Sequence, residues 1–360
     1  MHNTLKFSIL TPMKQFKRHR DYGFFDQDIR LSKLSQLGDP LERLNKGVDF
    51  EIFREILEQH LIKLAKGKGG RRAYDYVLMF KILILQRYYN LSDDQVEYQI
   101  NDRMSFMRFL NLTIADDVQD SKTVWNFREQ LVDLEIVELL FNRFIKELER
   151  LNLIINAGKI VDASFVEVPI QRNTKDENQE IKNNGTPASF EKDPHKKAQK
   201  DVDARWTKKN NVVFFGYKNH IKIDAGSKLI TGYLVTNASK HDSQVLDELL
   251  DLNKDKGENL YADSAYGAEK QLEIIKEKQM TNKVGVQGRR NHPLTDEQKQ
   301  TNRENSKTRA RVEHVFGFME MSMHEMYLQV IGIKRIKAVI GLMNLTWNLF
   351  RKLQLAQIIG

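Results

Sequence analysis

Two hydrophobic periods divide the chain near residue 150. Before it, apolar positions recur at helical spacing. "AYDYVLMFKILILQRYY" (73–89) is apolar nearly all round, which predicts a buried helix. In "LSDDQVEYQI", Ser92 stands as N-cap with Gln95 three residues on, the start of a capping box. "DSKTVWNFREQL" opens another helix at Asp120 or Ser121, with Val124, Phe127 and Leu131 on one face.

After about residue 155 the period becomes two. "GKIVDASFVEVP" (158–169) reads as a strand that Pro169 stops. Residues 170–210 are too polar to pack well and read as a loop or partly disordered segment. "VVFFGYKNHIKID" and "KLITGYLVT" flank "AGS" and predict a hairpin. A helix over 242–252, a strand running into a turn over 259–267, a helix over 268–278, a short edge strand over 282–288 and a long helix from about Ser306 follow. That order matches a ribonuclease H-like fold, an α/β mixed sheet flanked by helices, over residues 151–360. Residues 1–150 form an all-α region before it.

Composition narrows the classes. The chain has 360 residues, 41% hydrophobic and 29% charged, as expected of a globular protein. Its densest apolar run, Val77 to Leu85, is far shorter than the roughly 20 residues of a membrane span. The first 23 residues hold no signal-peptide apolar core, so a cytoplasmic protein with no membrane partner is expected. The absence of cysteine excludes disulfides, thiolate zinc sites and cysteine nucleophiles. Net charge is +8, and the excess is clustered: 63–72, which includes Arg71 and Arg72; 195–200; 205–209, which includes Lys208 and Lys209; and 288–290. Such clusters suit a polyanion, most often nucleic acid, although a solvated basic surface has the same look. The short N-terminal helices suit a helix-turn-helix reader of DNA, and core packing alone gives the same pattern.

Three carboxylates occupy positions where their own elements favour something else. Asp162 lies in the middle of a strand, where a buried charge needs a partner or a metal. Asp263 ends the fourth strand of the order, in "YADSAYG". Glu313, in "RARVEHVFGFM", falls on the border of a stripe formed by Val312, Val315, Phe316 and Met319, facing the edge of the sheet. In a ribonuclease H-like sheet the first and fourth strands are neighbours and the last helix crosses them, so the three acids converge. Without cations they repel one another. An all-oxygen set suits Mg²⁺ or Mn²⁺, and two ions about 4 Å apart bind both the attacking and the leaving oxygen of a phosphodiester displacement. Simpler accounts exist for two of them: Asp263 as a helix cap, and Glu313 as an i,i+4 partner of Arg309.

Taken together, "DSKTVWNFREQL", "IVDASFVEVP", "FFGYKNHIKID", "VTNASKHDSQVLDELL", "YADSAYG", "RARVEHVFGFM" and "IGIKRIKAVIGLMNLTWNLFRKL" resemble the DDE transposases of bacterial and archaeal insertion sequences, and among them the insertion-sequence-five group. The resemblance spans nearly the whole chain. It implies that Asp162, Asp263 and Glu313 are the catalytic, metal-binding triad. It also implies that the helical N-terminal region recognises terminal inverted repeats. The family's tyrosine, arginine, glutamate and lysine signature keeps only Arg309 and Glu313; Ser306 and Glu320 stand at the other two places. This weakens that DNA contact or shifts it to Lys307 or Lys334.

The expectation is therefore a DNA transposase that cuts transposon ends and joins them to target DNA, with double-stranded DNA as partner and a homodimer at synapsis. Two rivals share features with it: a lapsed transposase that only binds DNA, and a nuclease of the same fold. Arg309, Lys218, Lys208, Lys209, Arg71 and Arg72 are the candidate DNA contacts. Lys218 and His220, like Lys222 and Asp224, share a strand face that either meets phosphate or lies open to solvent. His241 and Asp242 are a site pair or a helix start. Trp125 and Trp206 either stack on a base or belong to the core. Tyr266 lacks the arginine and histidine set that a tyrosine nucleophile needs.

Overall fold

The computed structural model describes residues 23–61, 73–183, 185–209, 211–288, 292–324 and 326–359. The chain divides into two compact units, Met1–Asp39 and Pro40–Gly360. The first contains helix α1 (Asp26–Gln36), whose first turn carries Asp26 and Asp28 and whose last turn carries Lys33, charges that complement the helix dipole.

In the second unit, α2 (Pro40–Gly47), α3 (Arg54–Leu61), α4 (Tyr76–Tyr89), α5 (Asp93–Asp102), α6 (Met104–Leu110), α7 (Ser121–Asp133) and α8 (Val137–Arg150) precede the sheet. The capping box of Ser92 and Gln95 is present at α5, and Asp120 caps α7. Val124, Phe127 and Leu131 are buried on one face of α7. Helix α4 is buried through most of its length because its sequence offers almost no polar face.

One mixed sheet follows, built from β1 (Lys159–Glu167), β2 (Arg205–Lys209), β3 (Val212–Asp224), β4 (Ile230–Asn237), β5 (Asn259–Tyr261) and β6 (Thr281–Asn282). Its order is β2-β3-β1-β5-β6, with β4 also on β3. Strand β3 is antiparallel to β1 and β4, whereas β5 and β6 run parallel to β1. This is the ribonuclease H-like arrangement. Consecutive residues Ile160 and Val161 enter two different cores, one on each face, so the sheet is covered on both sides. Strand β3 changes partner at Gly216, pairing with β2 up to it and with β4 after it; φ there is +147° and a Cβ would collide with the Val166 carbonyl oxygen.

Residues 170–210 differ from the expected loop. They hold α9 (Lys175–Lys182), α10 (Ala188–Glu191), α11 (Pro194–Ala198) and β2. Few apolar side chains suffice because Ile181 and Phe190 are buried, Thr174 and Glu177 form a capping box, and Asp201 takes hydrogen bonds from the Tyr217 hydroxyl and the Gly332 N–H. The helix expected over 242–252 is broken into a 3₁₀ turn (Asp242–Val245), α12 (Leu246–Leu249) and α13 (Leu252–Asp255). Helix α14 (Glu269–Glu277) matches its expected position. The last helix of the set starts earlier than Ser306: α15 (Asp296–Arg309) runs through a 3₁₀ turn (Ala310–Val312) into α16 (Glu313–Met321).

The chain closes with α17 (Ile333–Ile359), about 40 Å long at 1.5 Å per residue. It packs against α2, α4, α7, α8 and β4 and joins the helical region to the sheet in one core. Two buried asparagines fix its position. Asn344 exchanges hydrogen bonds with Asn219 of β3 at 2.8 and 3.2 Å. Asn348 accepts from the Ile230 N–H and donates to the Ile230 carbonyl. Replacing Asn344 with Leu strands the Asn219 amide in the core, and should lower unfolding free energy by about 1–3 kcal/mol. In urea titrations the Asn219→Leu, Asn344→Leu double variant should recover part of that loss; full additivity would refute the pairing.

Candidate active site

Strand register brings the first two acids together. Lys159 of β1 lies opposite Leu260 of β5, and Ile160 opposite Tyr261, in parallel. Two residues further, past the end of β5, the continued register points Asp162 toward Asp263, whose charge acts on the Asp162 carboxylate; level residues on parallel strands project to the same face, with strands about 4.8 Å apart. The Asp263 carboxylate accepts from the Ser264 N–H and hydroxyl and so caps the 3₁₀ turn Ser264–Tyr266. The cap and the position beside Asp162 thus coexist.

Asp162 is half-buried. Its Oδ1 accepts from the Ala163 N–H at 2.8 Å, and Arg309 Nη1 donates to Oδ2 at 3.4 Å. Burial pushes its pKa above the ordinary carboxylate value, and the neighbouring Asp263 charge pushes the same way. The Ala163 N–H, Arg309 and Lys209 oppose them.

Glu313 does not join this pair. It is exposed rather than turned to the sheet edge, and it makes no ion pair among the described residues. The stripe of Val312, Val315 and Met319 is buried as expected. The 3₁₀ turn separates Arg309 from Glu313: each of its residues turns about 20° more than in an α-helix, so the phase between α15 and α16 slips by about 60°. Arg309 consequently pairs with Asp162 and not with Glu313. No group of three His, Asp or Glu side chains among the described residues is placed to hold a metal ion.

The basic candidates separate. Lys208 and Lys209 are exposed on β2, and the Lys209 ammonium lies 5.8 Å from the centre of the Phe165 ring, three residues beyond Asp162. Lys218 is corrected: it is buried, its ammonium donating to the Lys240 carbonyl and to Asp242 at 2.8 Å, which leaves it unable to reach a phosphate. His220, Lys222 and Asp224 are buried with it, so their strand face meets neither phosphate nor solvent. The 242–255 segment and α14 cover that face. Lys222 pairs there with Asp255, and His220 bonds Thr236 while burial pushes its pKa down to about 4. Lys334 pairs with Glu135, while Lys307 is exposed. Arg71 and Arg72 lie outside the described residues.

His241 caps the 3₁₀ turn at Asp242, in keeping with a helix start. Trp125 and Trp206 are 43% and 46% exposed, so neither is core. Tyr266 is buried at 1% exposure, which keeps its hydroxyl from attacking DNA. Sequence reading passed over a small cleft beside Asp263, lined by Lys283, Asn305, Ser306 and Arg309 among others. The available signal was the edge strand, whose parallel register carries Lys283 alongside β5.

Comparison with known proteins decides the family. The model described as Transposase DDE domain matches residues 157–349, more than half of the chain and all of the sheet, and that described as Transposase domain (DUF772) matches residues 29–130. The chain belongs to the DDE transposase family. It is a DNA transposase. A solved structure described as the piggyBac transposase synaptic complex with hairpin DNA aligns with the transposase at 12% identity and a TM-score of 0.45, covering 89% of this chain and 76% of that one. The fold assignment stands on the strand order rather than on that overlay. No described helix of the transposase is long and apolar enough to cross a membrane.

The charges around Asp162 yield a signed prediction. Arg309→Gln removes a cation that lowers the Asp162 pKa, so its titration should move up; Asp263→Asn removes a charge that raises it, so titration should move down. Carboxyl ¹³C NMR against pH checks both; equal directions would break the electrostatic coupling described.

Proposed function

We propose that Asp162 and Asp263 hold the catalytic divalent cation and that Glu313 completes the triad. The observation that carries this reading is the β1–β5 register, which points Asp162 toward Asp263 while burial and mutual repulsion raise the Asp162 pKa. The donor set fits the ion. Mg²⁺ is commonly held by one or two carboxylates plus substrate phosphates and water, so it needs no closed protein cage. All-oxygen donors favour Mg²⁺ or Mn²⁺, and two ions suit an in-line displacement.

When bound, the metal supplies charge neutralisation at the reacting phosphoryl group and a water or 3′-hydroxyl nucleophile of lowered pKa. The chain's own residues do the rest. Asp162 and Asp263 orient the cleaved phosphodiester beside the middle of β1 and the C-terminal end of β5. Arg309, now on Asp162, is released to contact DNA phosphate. Glu313 lies one helical turn beyond Arg309, past a 3₁₀ turn of the kind that often marks a hinge. Rewinding that turn as α-helix would restore the i,i+4 phase between Arg309 and Glu313. Lys208 and Lys209 contribute further phosphate contacts.

The transposase falls, in this reading, in the insertion-sequence-five group. Its helical N-terminal region, with Arg71 and Arg72, recognises double-stranded terminal repeats. Two copies pair two transposon ends at synapsis, in the cytoplasm and on the nucleoid of a prokaryotic cell.

A pre-cut end incubated with plasmid and Mg²⁺ should give joined products. Asp162→Asn and Asp263→Asn should each lower joining by about 10³-fold, equivalent to several kcal/mol of transition-state stabilisation, while end binding persists in mobility shifts. Cleavage without joining would favour a nuclease. Full joining by Asp162→Asn would remove it from the site.

A further inference from the structure

A cleft of about 150 Å³ opens beside Asp263, its lining shared with Arg309, the partner of Asp162. Its floor is Gly285, on the segment that continues β6 through hydrogen bonds of Lys283 N–H to the Leu260 carbonyl and Gly285 N–H to the Ala262 carbonyl. Its far wall is one face of α15, carrying Asn305, Ser306 and Arg309. Pockets that enclose drug-sized molecules begin at roughly 300 Å³, so this one suits a single small group.

The chemistry of the walls selects an anion. Lys283 and Arg309 supply two cations, and Asn305 and Ser306 supply neutral donors. Among the described residues the side chains of Lys283, Asn305 and Ser306 have no hydrogen-bond or ionic partner, and the single partner of Arg309 is Asp162 at 3.4 Å. The width of the cleft is set independently of any occupant. Asn302 of α15 accepts from the Val286 N–H at 2.9 Å and donates to the Val286 carbonyl at 2.8 Å, which clamps the helix to the strand segment. The position is also suitable. Asp263 forms the rim, so an anion inside lies next to the group that the Asp162–Asp263 pair acts on.

We infer that this cleft binds the backbone phosphate adjacent to the cleaved phosphodiester, with Lys283 as its principal charge. The inference rests on the reading of Asp162 and Asp263 as the cutting site. Lys283 takes the part that Glu320 and Ser306 leave open: it presents a cation from the sheet rather than from the last helix. The lysine acts as a point charge on non-bridging oxygens, so it fixes register along the backbone without reading sequence.

The test uses the full-length protein, a pre-cut end duplex and plasmid target. A series of ends carries one neutral methylphosphonate at successive positions around the cut. With the unaltered protein, one position next to the cut should weaken end binding about tenfold, as expected for one lost charged contact. Lys283→Ala should show the same loss on the natural end, no further loss at that position, and a salt dependence shallower by about one ion. Gly285→Leu fills the cleft without altering charge; its Cβ would meet only ordinary contacts, at 3.6 Å or more, and it should reproduce the binding loss. Lys283→Ala binding like the unaltered protein, or losses that add at every position, would overturn the inference while leaving the cutting site intact. Failure of the unaltered protein to join ends would instead overturn the cutting site, with the binding arm still readable.

Discussion

Two like charges are held near one another, Asp162 inside β1 and Asp263 just past the end of β5, and much of the structure serves to keep them there. At roughly 5 Å, in a medium of effective dielectric about 20, two carboxylates repel by about 3 kcal/mol. A flexible loop would let them part. The transposase instead places Asp162 inside β1, fastened on one side by a nine-residue ladder to β3 and on the other to β5. It surrounds the pair with positive charge from Arg309 and Lys209. Repulsion that the fold opposes is relieved by whatever cation enters.

Rigidity behind the pair comes from α17. This helix lies between the sheet and the helical region, and its polar core contacts are satisfied one to one: Asn344 with Asn219, Asn348 with the backbone of Ile230, and the Trp347 N–H with the Lys228 carbonyl. Such contacts fix register as well as distance, because a sliding helix would leave several buried amides unpaired. Behind the opposite face, Lys218 with Asp242 and Lys222 with Asp255 neutralise charges that the strand carries inward. On α15–α16, a 3₁₀ turn separates Arg309 from Glu313.

Much of this was legible in the sequence, for physical reasons that differ from element to element. Asp162 announced itself because a carboxylate in a β-branched run conflicts with local preference. Ser92 with Gln95, and Asp120, were readable because caps depend on neighbours only a few residues away. The fate of Lys218, His220 and Lys222 was not readable, since alternation along β3 gives a face and not what covers it. The phase slip at Ala310–Val312 escaped because nothing in "ARV" distinguishes a 3₁₀ turn from another turn of α-helix. The 170–210 segment was underestimated because its order depends on Asp201, a single acid joining it to Tyr217 and Gly332 across the fold.

In the proposed site Asp162, inside β1, and Asp263, just past β5, share a divalent cation. Anomalous diffraction from crystals grown with Mn²⁺ tests it most directly. The account expects a manganese peak about 2.1 Å from a carboxylate oxygen of each residue, with Arg309 displaced from Asp162. A peak held elsewhere by other side chains, with Asp162 still paired to Arg309 at saturating Mn²⁺, would contradict it.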